Sequence, residues 1–108
     1  MQKSAPIKLN RTLYVNGNII SSIIIGKHYL QKHSLEVTED LIILLVCSLH
    51  GLHFKADSIS AEIEYYATDI ELDMDGQNKI FRLVWLFEGE QLEIIGIINA
   101  YRVRKKRK

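Results

Sequence analysis

The sequence predicts an α+β domain in which an antiparallel sheet, an N-terminal hairpin plus a C-terminal three-stranded meander, packs on one central helix. Three observations carry that expectation. Asn16-Gly17 divides two runs rich in β-branched residues, which is the strongest short-range hairpin signal. A continuous apolar stretch at Leu41 to Cys47 follows a capping threonine, as at a helix start. Beyond residue 61 come three alternating runs joined by short polar connections, which suits a meander.

Taken in order, "IKLNRTLYV" and "NIISSIIIG" form the hairpin, with isoleucines at 19, 20, 23, 24 and 25 supporting a strand. Thr38 caps the helix, Glu39 and Asp40 complement its dipole, and His50-Gly51 ends it. Leu41, Leu44, Leu45 and Leu49 share one helical face, with Ile42, Ile43 and Val46 around it, so the helix should be buried nearly all round. "HGLHFKADSISA" reads as a loop. "EIEYYATDIEL", "KIFRLVWLF" and "LEIIGIINAYRV" are the meander strands, with turns in "DMDGQN" and "EGEQ". In the middle strand Phe81, Leu83, Trp85 and Phe87 alternate with Arg82, Val84 and Leu86, which makes Arg82 an anomaly on a largely apolar strand.

The chain is 108 residues long and 47% apolar, enough for a single core over residues 1–108 with a basic tail at about 103–108. A lone cysteine, Cys47, excludes an intramolecular disulfide and is expected in the core of a protein kept in a reducing compartment. No apolar run approaches the about 20 residues of a membrane-spanning helix, and the first residues lack a secretion signal's apolar stretch, so a cytoplasmic location without membrane contact is expected.

The net charge of +1 conceals segregation. Residues 1–35 carry five basic residues and no acid, and the last fifteen carry six and no acid. All thirteen acids fall between 36 and 93. A fold that joins the two ends would offer a cationic face to a polyanion such as RNA, with Lys27, Arg102, Arg104 and Lys105 as substrate-binding groups and the acidic middle facing elsewhere. The plainer alternative is that "RVRKKRK" is a solvating tail.

Chemistry concentrates in "GKHYLQKHS". His28 and Lys32 are four apart and share a side in a helix or a strand, as do Tyr29 and His33. An imidazole moves protons near neutral pH, while an ammonium or guanidinium stabilises charge on phosphate oxygens during phosphodiester cleavage. A polar joint ahead of the helix is the competing explanation. Asn99 is out of place among strand isoleucines and needs a partner or a role. Tyr101 on the same face could pack its ring, stack a base or donate to a phosphate. Arg82 and Arg102 on adjacent strands could converge on one anion, or pair with Asp69 or Glu71. The histidine spacings, five between His28 and His33 and three between His50 and His53, complete no metal motif, and phosphate-loop and dinucleotide signatures are missing. Neither a metal nor a cofactor is expected, and His50 is explained by the helix dipole.

With these residues in view, the layout resembles the small toxin nucleases of the BECR group, named for barnase, EndoU, the tRNA-cleaving colicins and RelE. The resemblance runs over residues 19–102, through "GKHYLQKHS", the helix "VTEDLIILLV" and the meander "FRLVWLFEGEQLEIIGIINAYR". It implies a RelE/barnase-like domain and a metal-independent endoribonuclease in which the 2′-hydroxyl attacks the adjacent phosphate, neutralised by a cognate antitoxin or immunity protein. By that analogy His28 is the leading acid or base and His33 the second. Lys32 and Arg82 stabilise the phosphorane, and Asn99 and Tyr101 position substrate. A non-catalytic module that binds nucleic acid or inhibits another protein through its acidic middle is the alternative, and a small-molecule enzyme a third. The terminal strands could also pair across a dimer, so the oligomeric state stays open.

Overall fold

The computed structural model describes residues 6–26 and 37–103. Asn16 and Gly17 both take positive φ, at 51° and 78°, and reverse the chain between β1 (Ile7–Val15) and β2 (Asn18–Ile25). After the helix α1 (Glu39–Cys47) come β3 (Ser58–Ser60), β4 (Ile63–Met74), β5 (Gln77–Glu88) and β6 (Ile94–Val103). Asp75-Gly76 repeats the turn chemistry of Asn16-Gly17 and brings Met74 opposite Gln77.

The expected α+β architecture is corrected in its main feature. Strands make up 61% of the structure, and they form one six-stranded, mixed, strongly curled half-barrel sheet instead of a hairpin and a meander resting on a central helix. The order is β1-β2-β6-β5-β4-β3. Its unforeseen join is the parallel pairing of β2 with β6, from Ser22 opposite Ile94 to Ile25 opposite Ile97. Ile23, Ile25, Ile95 and Ile97 are all buried at this join. Such isoleucine runs suit strands that have a neighbour on each side, and parallel pairing needs no local turn to announce it. The second correction concerns residues 58–60, expected in a loop. They form β3 and return to β4 through Ala61 and Glu62, at φ 51° and 65°. Neither residue favours left-handed backbone, so the turn carries no Asn-Gly signature.

The curled sheet encloses the core and α1 fills its open side. Trp85 is fully buried, with the Tyr66 ring stacked on it at 4.4 Å and the Phe54 and Phe87 rings edge-on at 5.7 and 5.2 Å. Its indole nitrogen donates to Thr68 Oγ1 at 3.1 Å, so the polar end of the ring is satisfied. Leu41, Ile42, Leu45, Val46 and Leu49 join this cluster, whereas Leu44 is 51% exposed. The helix is a short plug, not a core element buried all round, and Cys47 is only partly buried. Its start follows the sequence: Thr38 Oγ1 accepts from Leu41 N at 3.2 Å, with Glu39 and Asp40 in the first turn.

Past its C-terminus the chain covers the end of β1, an outer strand of the sheet. Gly51 N donates to Tyr14 O at 2.7 Å, Asn16 N to Leu52 O at 3.1 Å, and Tyr14 N to His50 Nδ1 at 3.0 Å. Asn16 also exchanges two side-chain bonds with Phe54. Exposed ladder groups at an edge invite foreign strands, and here three are occupied. His50 Nδ1 thus accepts from the β1 backbone, a contact that the helix-end reading of this residue did not foresee.

Candidate functional site

Side chains on β4, β5 and β6 that point away from the core build the site. Antiparallel register sets Asp69, Arg82 and Tyr101 side by side across the three strands. The next row is Ala67, Val84 and Asn99. Three residues singled out from the sequence, Arg82, Asn99 and Tyr101, thus share one sheet face.

Arg82 is held by a carboxylate. Its Nε donates to Asp69 Oδ1 at 2.7 Å and a terminal nitrogen donates to Oδ2 at 3.1 Å, the two-pronged geometry that suits a guanidinium. The two side chains are 40% and 45% exposed, so water screens the pair. Bonding to Arg82 draws the Asp69 carboxyl below its ordinary range. Asp69, and then the Tyr101 hydroxyl, raise the guanidinium above its own, and it stays charged at any relevant pH. Asp69 was one of the two partners foreseen for this arginine.

Asn99 explains itself locally. Between Val84 and Trp85 the β5–β6 register slips, so that Val84 faces Asn99 while Trp85 faces Ile97, leaving Ile98 as the extra residue of a bulge. Asn99 Oδ1 accepts from Ala100 N at 2.9 Å at that point. The amide has a structural partner where the ladder is interrupted. Arg102 lies opposite the buried Phe81, on the other face from Arg82, and the two arginines do not converge.

Beside the charged row the sheet face forms an open groove of about 840 Å³. Ala67 and Val84 give it a small apolar floor. Arg82, Asp69 and Tyr101 close one end, and Tyr65 with Asp57, Ser58 and Ser60 of the β3 region stands along the side. The last four are missed by sequence reasoning, because a three-residue strand entered through a non-glycine turn leaves no periodicity to detect. The only available signal was the alternation Ser58, Ser60 and the aromatic pair Tyr65-Tyr66.

His28, Lys32, His33 and Lys27, and likewise Arg104 and Lys105, lie outside the described residues. Gly26, from which the segment 27–36 continues, donates its N–H to Ile97 O at 3.1 Å, next to the Ile98 bulge. The acid-free ends are brought together by the β2–β6 pairing, but the acids do not keep to another face: Asp69, Glu71 and Asp73 alternate along β4 on the Arg82 side, all exposed. Among the described residues no group of three or more His, Cys, Asp or Glu side chains is placed to hold a metal, and no helix is long and apolar enough to cross a membrane. At the groove the described residues offer a guanidinium and a phenol, groups that can bind an anion and stabilise its charge. No protein family, curated protein or solved structure matches this chain.

Proposed function

We propose that the chain is a metal-independent endoribonuclease toxin acting in the cytoplasm and neutralised by a cognate antitoxin or immunity protein. The observation that supports this reading is the Gly26 bond to Ile97, which ties the root of the His28 and Lys32 segment to β6 beside Asn99, on the strand that also carries Tyr101 next to Arg82. In the proposed reaction His28 takes the 2′-hydroxyl proton as O2′ attacks phosphorus. The bond from phosphorus to O5′ breaks, and an acid, with His33 as the candidate, protonates the departing oxygen. The products are a 2′,3′-cyclic phosphate and a 5′-hydroxyl. Lys32 and Arg82 stabilise the phosphorane, Arg82 while shared with Asp69. The test is incubation of the folded protein with total RNA in EDTA. Cyclic-phosphate ends that disappear in His28→Ala and Lys32→Ala are the expected result, and intact RNA at stoichiometric protein refutes it.

A second reading, a non-catalytic module for a basic protein partner, is favoured by one observation: Asp69 occupies Arg82, and Asp69, Glu71 and Asp73 make the same face acidic. Under that reading the His28→Ala and Lys32→Ala variants keep full affinity for the partner, and no RNA is cut.

A further inference from the structure

We propose that the groove beside Arg82 is a subsite for one unpaired RNA base bearing an exocyclic amino group, with Tyr65 as its stacking platform and Asp57 as its hydrogen-bond acceptor. The inference rests on the endoribonuclease reading and adds which part of the substrate this face takes. Charge decides between the parts of a nucleotide. Two carboxylates, Asp57 and Asp69, line the groove against one guanidinium that Asp69 already engages. A phosphodiester entering it would meet like charge, whereas a neutral base would not.

The shape favours the same part. Tyr65, Ala67 and Asp69 alternate on one face of β4, so the phenol ring stands beside a floor made of Ala67 and Val84, a flat apolar bed for a planar ring. Ser58 pairs with Tyr65 in the β3–β4 ladder and Ser60 follows it on the same face, which lines the wall with hydroxyls. Acceptors therefore dominate the polar rim: the Asp57 carboxylate takes hydrogen bonds only, and the two serine hydroxyls can take them. Adenine, cytosine and guanine present an amino group to such a rim, while uracil presents mainly carbonyl oxygens. The sugar and phosphate then lie over the end formed by Arg82 and Tyr101, away from the Asp57 wall.

The experiment measures anisotropy of fluorescein-labelled 2′-O-methyl octamers of A, C and U, which lack the 2′ nucleophile and stay intact. The wild-type protein is expected to bind the A and C octamers more tightly than U. Tyr65→Ala should weaken A and C binding by about 5- to 150-fold, the range for losing one base–aromatic stack. Tyr65→Phe should retain it, and Asp57→Asn should narrow the gap between C and U. Equal affinity for all three octamers overturns the proposal, as does unchanged binding in a folded Tyr65→Ala. Should Tyr65→Ala not fold, amide shifts of the wild-type protein on adding the A octamer decide, with shifts confined outside Ser58, Ser60 and Tyr65 overturning it. Cleavage of total RNA by the wild-type protein separates the two ideas. Octamer binding as described without any RNA cleavage defeats the nuclease reading and leaves the subsite. Cleavage with KM unchanged in Tyr65→Ala defeats the subsite alone.

Discussion

Replacing Thr68 by valine removes the single acceptor that satisfies the indole of the fully buried Trp85. Trp85 has no solvent exposure and its indole N–H is satisfied by Thr68 Oγ1 at 3.1 Å. No buried side-chain nitrogen or oxygen among the described residues is without a partner, so Thr68→Val would introduce the first. Valine matches threonine in shape and is as good a strand former, so neither packing nor backbone preference offsets the change. Leaving a buried donor unpaired costs about 1–3 kcal/mol. Trp85 is the only tryptophan, and its fluorescence reports the same site that is perturbed. With a urea slope of about 2 kcal/mol per molar, the unfolding midpoint should fall by roughly 0.5–1.5 M at constant slope. Thr68→Ser keeps the acceptor and loses a methyl group, worth at most about 0.8 kcal/mol, so its midpoint should lie between the two. A valine variant as stable as the wild type, or less perturbed than the serine variant, would refute the claim that this hydrogen bond sustains the buried indole.

Three further outcomes are expected. Ala61→Asn with Glu62→Gly fits the turn between β3 and β4 to its positive φ angles, and relieving two unfavourable residues should raise stability by roughly 1 kcal/mol, read as a higher melting temperature. A lower melting temperature would mean that this hairpin does not form. Because the Asp69 carboxyl titrates below its unfolded value, the pair's stabilisation is fully present above that value, near 4, and is lost as pH falls through the folded pKa. The stability gap between wild type and Asp69→Asn should therefore hold at neutral pH and close in acid, and a gap that widens in acid contradicts the geometry. Ile97→Ala, in the buried parallel join, should cost about 2–5 kcal/mol in chemical denaturation, while Ile59→Ala, 66% exposed on β3, should change stability by less than about 0.5 kcal/mol.

Local chemistry alone determined a good deal here. Asn16-Gly17 and Asp75-Gly76 accept positive φ wherever they stand, and Thr38 caps the helix through a hydroxyl three residues from its donor, so these features are written in adjacent residues. The alternation in β5 likewise separates Arg82 from the Phe81, Leu83 and Trp85 core face without knowledge of any neighbour, and narrows its carboxylate partner to Asp69 or Glu71, between which only the β4–β5 register chooses. Tertiary structure decided what depends on distant chain segments. The isoleucines of β2 and β6 are equally content in any buried strand, and only mutual burial selects their parallel pairing and turns two sheets into one curled sheet. That curl needs only one face of a nine-residue helix, which is why Leu44 is exposed although its neighbours are not. The bulge at Ile98 and the turn at Ala61-Glu62 are backbone departures held by surrounding strands, and they set where Asn99 is used and where β3 stands. The groove exists because β3 is carried alongside β4, and its tyrosine, serines and aspartate come together through pairing that no local spacing encodes.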